Sequence, residues 1–111
     1  LILDENGGPN HVGNYCSAPI IVDTNTQEVL YQSSYYYLGH FSRFIKRGDR
    51  IIGCENKTDD LLALASINDS GVTTTILMNK NNTQEKFIYM DGNVILDLCI
   101  PARSIVTLIN A

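Results

Sequence analysis

The side chains reactive enough to do chemistry are few and scattered. The only histidines are His11 and His40. His40 falls in an apolar helical stretch beside Phe41, where a packed or half-exposed ring is expected rather than a ligand. Cysteine occurs three times, at Cys16, Cys54 and Cys99. The number is odd, the spacing is wide and no C-x-x-C pair exists, which excludes a zinc ribbon or a dithiol redox motif. Cys54 and Cys99 sit in apolar runs and are expected to be buried thiols. In a secreted protein one disulfide is the alternative. Cys16 with a distant histidine could make a thiol enzyme only with a third member, and none is in view. Asp4-Glu5-Asn6 opens like a calcium loop, but Gly8 and Pro9 stand where that loop needs a carboxylate or amide and a glycine. There is no G-x-S-x-G, no H-E-x-x-H and no phosphate-binding glycine loop. Tyr35, Tyr36 and Tyr37 would point about 100° apart on a helix, so they form no flat sugar-stacking platform. These residues assemble no metal site, no cofactor site and no self-contained catalytic site.

The elements that would position any site fall into two groups. The chain opens with a short apolar strand end, Leu1-Ile2-Leu3, and a turn-rich loop from Gly7 into Ile20-Ile21-Val22. Long loops without secondary structure of their own are usually functional or disordered. This one carries Gly and Pro at fixed points, which favours an ordered shape. Ile20-Ile21-Val22 reads as a buried strand, 23–27 as a polar turn and 28–32 as a further strand. A helix is predicted over 34–47, capped by Ser33 or Ser34 and carrying an apolar stripe of Tyr37, Leu38, Phe41, Phe44 and Ile45. Lys46 and Arg47 suit its C-terminal end, and Gly48 is a natural stop. After Gly48, strands are predicted over 50–55, 61–66, 72–79, 85–90, 93–99 and 104–110. Asn68-Asp69-Ser70-Gly71 and Asp91-Gly92 are hairpin signals. Short strands at this spacing imply an antiparallel β-sandwich. Six strands are few for two closed layers, so a partner strand is expected from elsewhere.

The chain has 111 residues and a formal charge of −4. It is 44% hydrophobic and 18% charged, which is globular rather than disordered. The negative balance argues against nucleic acid as a partner. The basic cluster Arg43, Lys46, Arg47 and Arg50 reads as a solvated helix end. No apolar run approaches the ~20 residues that span a bilayer, and no signal-peptide pattern is present. Asn56-Lys57-Thr58, Asn68-Asp69-Ser70 and Asn81-Asn82-Thr83 are N-glycosylation sequons in polar, turn-like stretches, which weakly favours a secretory or lysosomal route.

Three stretches carry a resemblance: Gly7-Gly8-Pro9-Asn10, Ala18-Pro19-Ile20-Ile21-Val22-Asp23 and Tyr37-Leu38-Gly39-His40-Phe41-Ser42-Arg43-Phe44-Ile45. Together they resemble the glucosylceramidases of glycoside hydrolase family 30, and the resemblance covers the whole chain in the same order. It implies a mainly β chain: residues 1–48 as the terminal strand, loop and helix of a (β/α)₈ barrel, and 49–111 as C-terminal strands of a β-sandwich. It also implies that the sandwich takes further strands from the parent's N-terminus. The implied activity is hydrolysis of the β-glucosidic bond of glucosylceramide, in sphingolipid metabolism, with retention. Two glutamates about 5–5.5 Å apart would do this. Both would lie upstream, since Glu5, Glu28, Glu55 and Glu85 match neither position.

By the same resemblance, the opening loop lies on the barrel face where active sites sit. Asn14 and Tyr15 would line the mouth of the glucose pocket. Tyr15 stands where the family usually has Phe, and His11 where it usually has Trp. Implied partners are glucosylceramide or another β-glucoside, the missing N-terminal segments, and a membrane surface or activator protein. Implied location is lysosomal or secreted, and the piece alone is expected to be inactive. The competing reading is a free-standing binding or structural sandwich, favoured by the lack of catalytic residues. It would leave the stripe Leu38, Phe41 and Phe44 exposed to water, a patch that normally marks an interface.

Overall fold

The computed structural model describes residues 1–8, 10–13 and 15–111. The fold is mainly β, with one α-helix, and divides into compact units at Leu1–Gly39 and His40–Ala111. In the first unit, β1 (Ile2–Asp4) pairs in parallel with β2 (Ile20–Asp23), which pairs antiparallel with β3 (Glu28–Tyr31). The β2–β3 turn is built by Asp23. Its Oδ1 accepts from the main-chain nitrogens of Asn25 at 2.9 Å and Thr26 at 3.0 Å, while Gln27 closes the turn at φ 61°. Such Asx geometry is why Asp opens turns. β2 is half-buried rather than buried as its apolar run suggested, because its short sheet leaves all four residues partly open.

Helix α1 (Ser33–Phe44) starts on Ser33 itself, so Gln32 holds the cap position, its carbonyl accepting from Tyr35 N at 3.0 Å. The helix also stops three residues short of the predicted 47. The Asp49 carboxylate takes the main-chain N–H of Lys46 at 2.8 Å, and Asp49 N donates back to Lys46 O, converting the last turn into a loop. Gly48, at φ 100°, supplies the backbone freedom this loop requires. No residue of α1 is buried; of the predicted stripe, Leu38 and Phe41 stand exposed while Tyr37, Phe44 and Ile45 are half-buried.

The second unit holds two layers. β4 (Arg50–Ile52), β5 (Leu61–Ile67), β6 (Thr73–Asn79) and β9 (Ser104–Asn110) form an antiparallel sheet in the order β4-β5-β6-β9. β7 (Glu85–Asp91) and β8 (Val94–Ile100) form the second, two-stranded layer. Leu61, Leu77 and Ile100 are the buried centre, with Phe87, Val106 and Leu108 packed around them. His40 reaches the four-stranded sheet, its Nδ1 2.8 Å from Thr107 Oγ1 on β9, so its half-buried ring is held as expected. The Asn68–Gly71 turn forms as predicted, with Asn68 N donating to Val72 O. The second hairpin is displaced by one residue. Asp91 pairs with Val94, so the loop is Gly92-Asn93, and Gly92 takes φ 59° at the first central position of a II′-type turn.

Cys54 and Cys99 are exposed free thiols, correcting the expectation of burial. β4 ends at Ile52 and leaves Cys54 in a loop, while Cys99 pairs with Lys86 on the outward face of β8. Cys16 is likewise free and exposed.

The layers are tied at one end by Asp91. Its Oδ2 accepts from Thr73 Oγ1 on β6, from Asn110 Nδ2 on β9 at 3.0 Å and from Tyr89 OH at 3.3 Å. These bonds, that from Thr73 first, hold the carboxyl below the usual aspartate range. Burial, with Asp91 beside it, raises the Tyr89 phenol. A depressed carboxylate contributes stability above the pKa of the unfolded chain, about 4, and that contribution drains as acid protonates the folded group. In the full-length protein, Asp91→Asn is therefore expected to lower Tm at neutral pH. The gap from the parent closes as pH falls below about 4, which melts recorded across pH would reveal.

Candidate functional site

The candidate wall is the loop between β1 and β2. It is shaped from its ends inward. Glu5 does most of the fastening: its carboxylate accepts Thr24 N at 2.8 Å, Thr24 Oγ1 at 2.7 Å and Asn25 Nδ2 at 3.1 Å. The loop's first turn is thereby clipped to the β2–β3 turn. Those bonds, the main-chain one first, hold the Glu5 carboxyl below its ordinary value. Gly7 follows at φ 71°, donating its N–H to Asp4 O at 3.2 Å. Gly7, Gly8 and Ala18 are buried and anchor the loop's two ends.

Of the residues singled out in the sequence, His11 lies in a 3-10 turn (Asn10–Val12) and is exposed. Tyr15 is 82% exposed, a large aromatic presented to the surface. Asn14 lies outside the described residues. Tyr15 is positioned by Gly7: a methyl group there would fall 2.8 Å from two of its ring carbons and 2.9 Å from the Cys16 carbonyl oxygen. Only glycine permits this approach at this φ. Gly7→Ala is accordingly expected to cost about 1–2 kcal/mol for the left-handed backbone alone, and to push Tyr15 out of place. A lowered Tm, read beside that of the unsubstituted protein, would register it.

Sequence reasoning missed Glu5 and Gly7 as the residues that shape this wall. The signal for Gly7 was its doubled glycine, whereas Glu5 acts on residues nineteen and twenty positions away. The loop presents one exposed aromatic ring, Tyr15, and among its described residues no acid–nucleophile pair is found. Glu5 is spent on Thr24 and Asn25, and Glu85 accepts from Asn81 and Thr83. Among the described residues, no three of His, Cys, Asp and Glu are grouped to hold a metal ion. Nor is any described helix long and apolar enough to cross a membrane. Asn56, Asn68 and Asn81 lie in the turns that join the strands of the sandwich.

A short three-stranded sheet and a helix are followed in sequence by the two layers of a β-sandwich. Comparison with known proteins makes this specific. The chain belongs to glycosyl hydrolase family 30: the family's TIM-barrel domain matches residues 1–45 and its beta sandwich domain residues 50–108. Putative glucosylceramidase 4 of Caenorhabditis elegans is 33% identical over 114 residues, covering 97% of the chain and 22% of that relative. Lysosomal acid glucosylceramidase of Mus musculus is 32% identical over 109 residues, covering 96% and 21%. Among solved structures, SrfJ from Salmonella typhimurium superposes with a TM-score of 0.92 at 29% identity, over 98% of this chain and 24% of that one. The chain thus spans about a fifth of the length of the curated relatives it matches.

Proposed function

We propose that this chain is the C-terminal part of a retaining glucosylceramidase, supplying the sandwich and one wall of the active site. The observation that carries the reading is similarity to named glucosylceramidases along nearly the whole chain. In this reading residues 1–48 close the barrel and 49–111 belong to the sandwich. The acid/base and nucleophile glutamates come from earlier barrel strands. They would protonate the leaving oxygen and form the glucosyl-enzyme, which water then hydrolyses. Asn14, Tyr15 and His11 edge the glucose pocket, with the Tyr15 ring as an apolar face and its hydroxyl as an added hydrogen-bonding group. The substrate is glucosylceramide or another β-glucoside.

The lysosomal relative supports a lysosomal location. Glycolipid substrates would be met at a membrane surface or through an activator protein. N-terminal strands of the parent would complete the sandwich.

The test is turnover of glucosylceramide by the full-length protein, with the released sugar followed by NMR. β-Glucose as first product is the expected result. α-Glucose, or no release from any β-glucoside, would overturn the reading.

A further inference from the structure

The fold treats the three sequons differently. Two of them are wired together through Asp60. Its Oδ2 accepts Thr58 Oγ1 at 3.0 Å, and its Oδ1 accepts Asn81 Nδ2 at 3.0 Å. Asn81 Nδ2 also donates to Glu85 Oε1 at 3.4 Å, so both of its N–H bonds are engaged. The Asn81 main chain is fastened as well: its N–H donates to Asn79 Oδ1 at 2.9 Å and its carbonyl accepts Arg103 N at 3.1 Å. The residue is half-buried.

Asn56 stands in contrast. It is exposed, as are Glu55 and Lys57 beside it. Its Oδ1 accepts Thr58 N at 3.2 Å, which bends the sequon into an Asx turn. Its Nδ2 has one partner, the Leu61 carbonyl, at 2.5 Å. N-glycosylation joins the sugar C1 to Nδ2 while the C1–O bond to the lipid-linked pyrophosphate donor breaks. One amide proton leaves and one N–H remains. A glycan carried at Asn56 is compatible with the fold, because one Nδ2 hydrogen remains to keep the Leu61 bond. Asn81 has none to spare, and a sugar there would break the Asp60 or the Glu85 bond. Asn68 is half-buried in its hairpin, its Oδ1 taken by Ser70 N and Val72 N at 2.9 Å each.

We propose that Asn56 is the N-glycan acceptor of this chain, and that Asn81, though in a sequon, stays bare as the tie between two loops. The inference rests on the secretory route proposed above. It is tested on the full-length protein secreted behind a heterologous signal peptide. Enzymatic deglycosylation leaves Asp wherever a glycan was carried, and peptide mass spectrometry reads it. The expected result is conversion at Asn56 in most molecules and none at Asn81. Asn56→Gln should remove one glycan's mobility shift on a gel, and Asn81→Gln should leave mobility unchanged. An unconverted Asn56, or conversion at Asn81 to an equal extent, overturns the proposal. Both are read on the unmutated protein, so neither depends on a variant folding. The same protein with its own N-terminus separates the two readings. If Asn56 is bare there but occupied behind the heterologous signal, the route is refuted and the acceptor assignment stands.

Discussion

The isolated 111-residue chain will not turn over a fluorogenic β-glucoside. Retaining hydrolysis needs two carboxyl groups about 5–5.5 Å apart across the scissile bond, one an acid and one a nucleophile. The candidate wall contributes a single glutamate, Glu5, and it is fully committed to Thr24 and Asn25. Removing both catalytic carboxylates from a glycosidase removes the covalent step and the leaving-group protonation together. The expected loss is total, down to the rate without protein. Turnover by the pure chain above that background would mean an acid–nucleophile pair lies within these residues, and would sink the proposed division of labour. Far-UV circular dichroism on the same sample would show whether the strands are formed. Size-exclusion chromatography should find it associated, because α1 leaves Leu38 and Phe41 in water and the β7–β8 layer has both outer edges unpaired.

Asn79→Ala is expected to be the most damaging single substitution in the sandwich. Asn79 is 0% exposed, at the end of β6. Its Nδ2 serves the carbonyls of Thr83 at 2.8 Å and Pro101 at 3.0 Å, with Ile100 at 3.4 Å, and its Oδ1 accepts Asn81 N. One side chain therefore ties the four-stranded sheet to the loop before β7 and to the turn after β8. Truncation strands several buried main-chain groups at once. Each such group costs on the order of 1–3 kcal/mol, so a combined loss of about 3 kcal/mol or more is expected. Urea unfolding of the full-length protein, followed on the sandwich transition, would measure it. Lys80→Ala, one residue on and exposed, serves as control and should stay within about 0.5 kcal/mol. An Asn79→Ala midpoint equal to the control's would mean water replaces the side chain at no cost.

Much of the sandwich is legible in the sequence because its turns announce themselves. Asn68 to Gly71 marks one hairpin, and the β-branched run Thr73-Thr74-Thr75 marks the strand that follows. What the sequence hides is the direction in which side chains point. β8 reads Val-Ile-Leu-Asp-Leu-Cys-Ile, apolar at both parities, so alternation does not say which face Cys99 takes. The II′ turn shifted by one residue for a related reason, since Asp91 is drawn into the strand by Thr73 and Asn110, partners distant in sequence. The proposal that the opening loop is an active-site wall rests on resemblance alone. A Tyr beside a Cys carries no periodic signal, and the Glu5 clip spans a separation that no local rule addresses. The end of α1 was lost to one side chain, Asp49, competing for the main chain.

The place of β6 in its sheet has a consequence on the timescale of hydrogen exchange. It is hydrogen-bonded to β5 along one side and to β9 along the other, and Ile76 and Leu77 bury its two faces. Its amides cannot reach solvent by fraying at an edge; they open only when a neighbouring strand leaves. The amides of β6 therefore mark the slow-exchanging kernel of the domain. The outward amides of β7 and β8 should label first. The parts of this domain free to adapt to the rest of the enzyme are then the two-stranded layer and its rim, while β6 keeps their frame of reference.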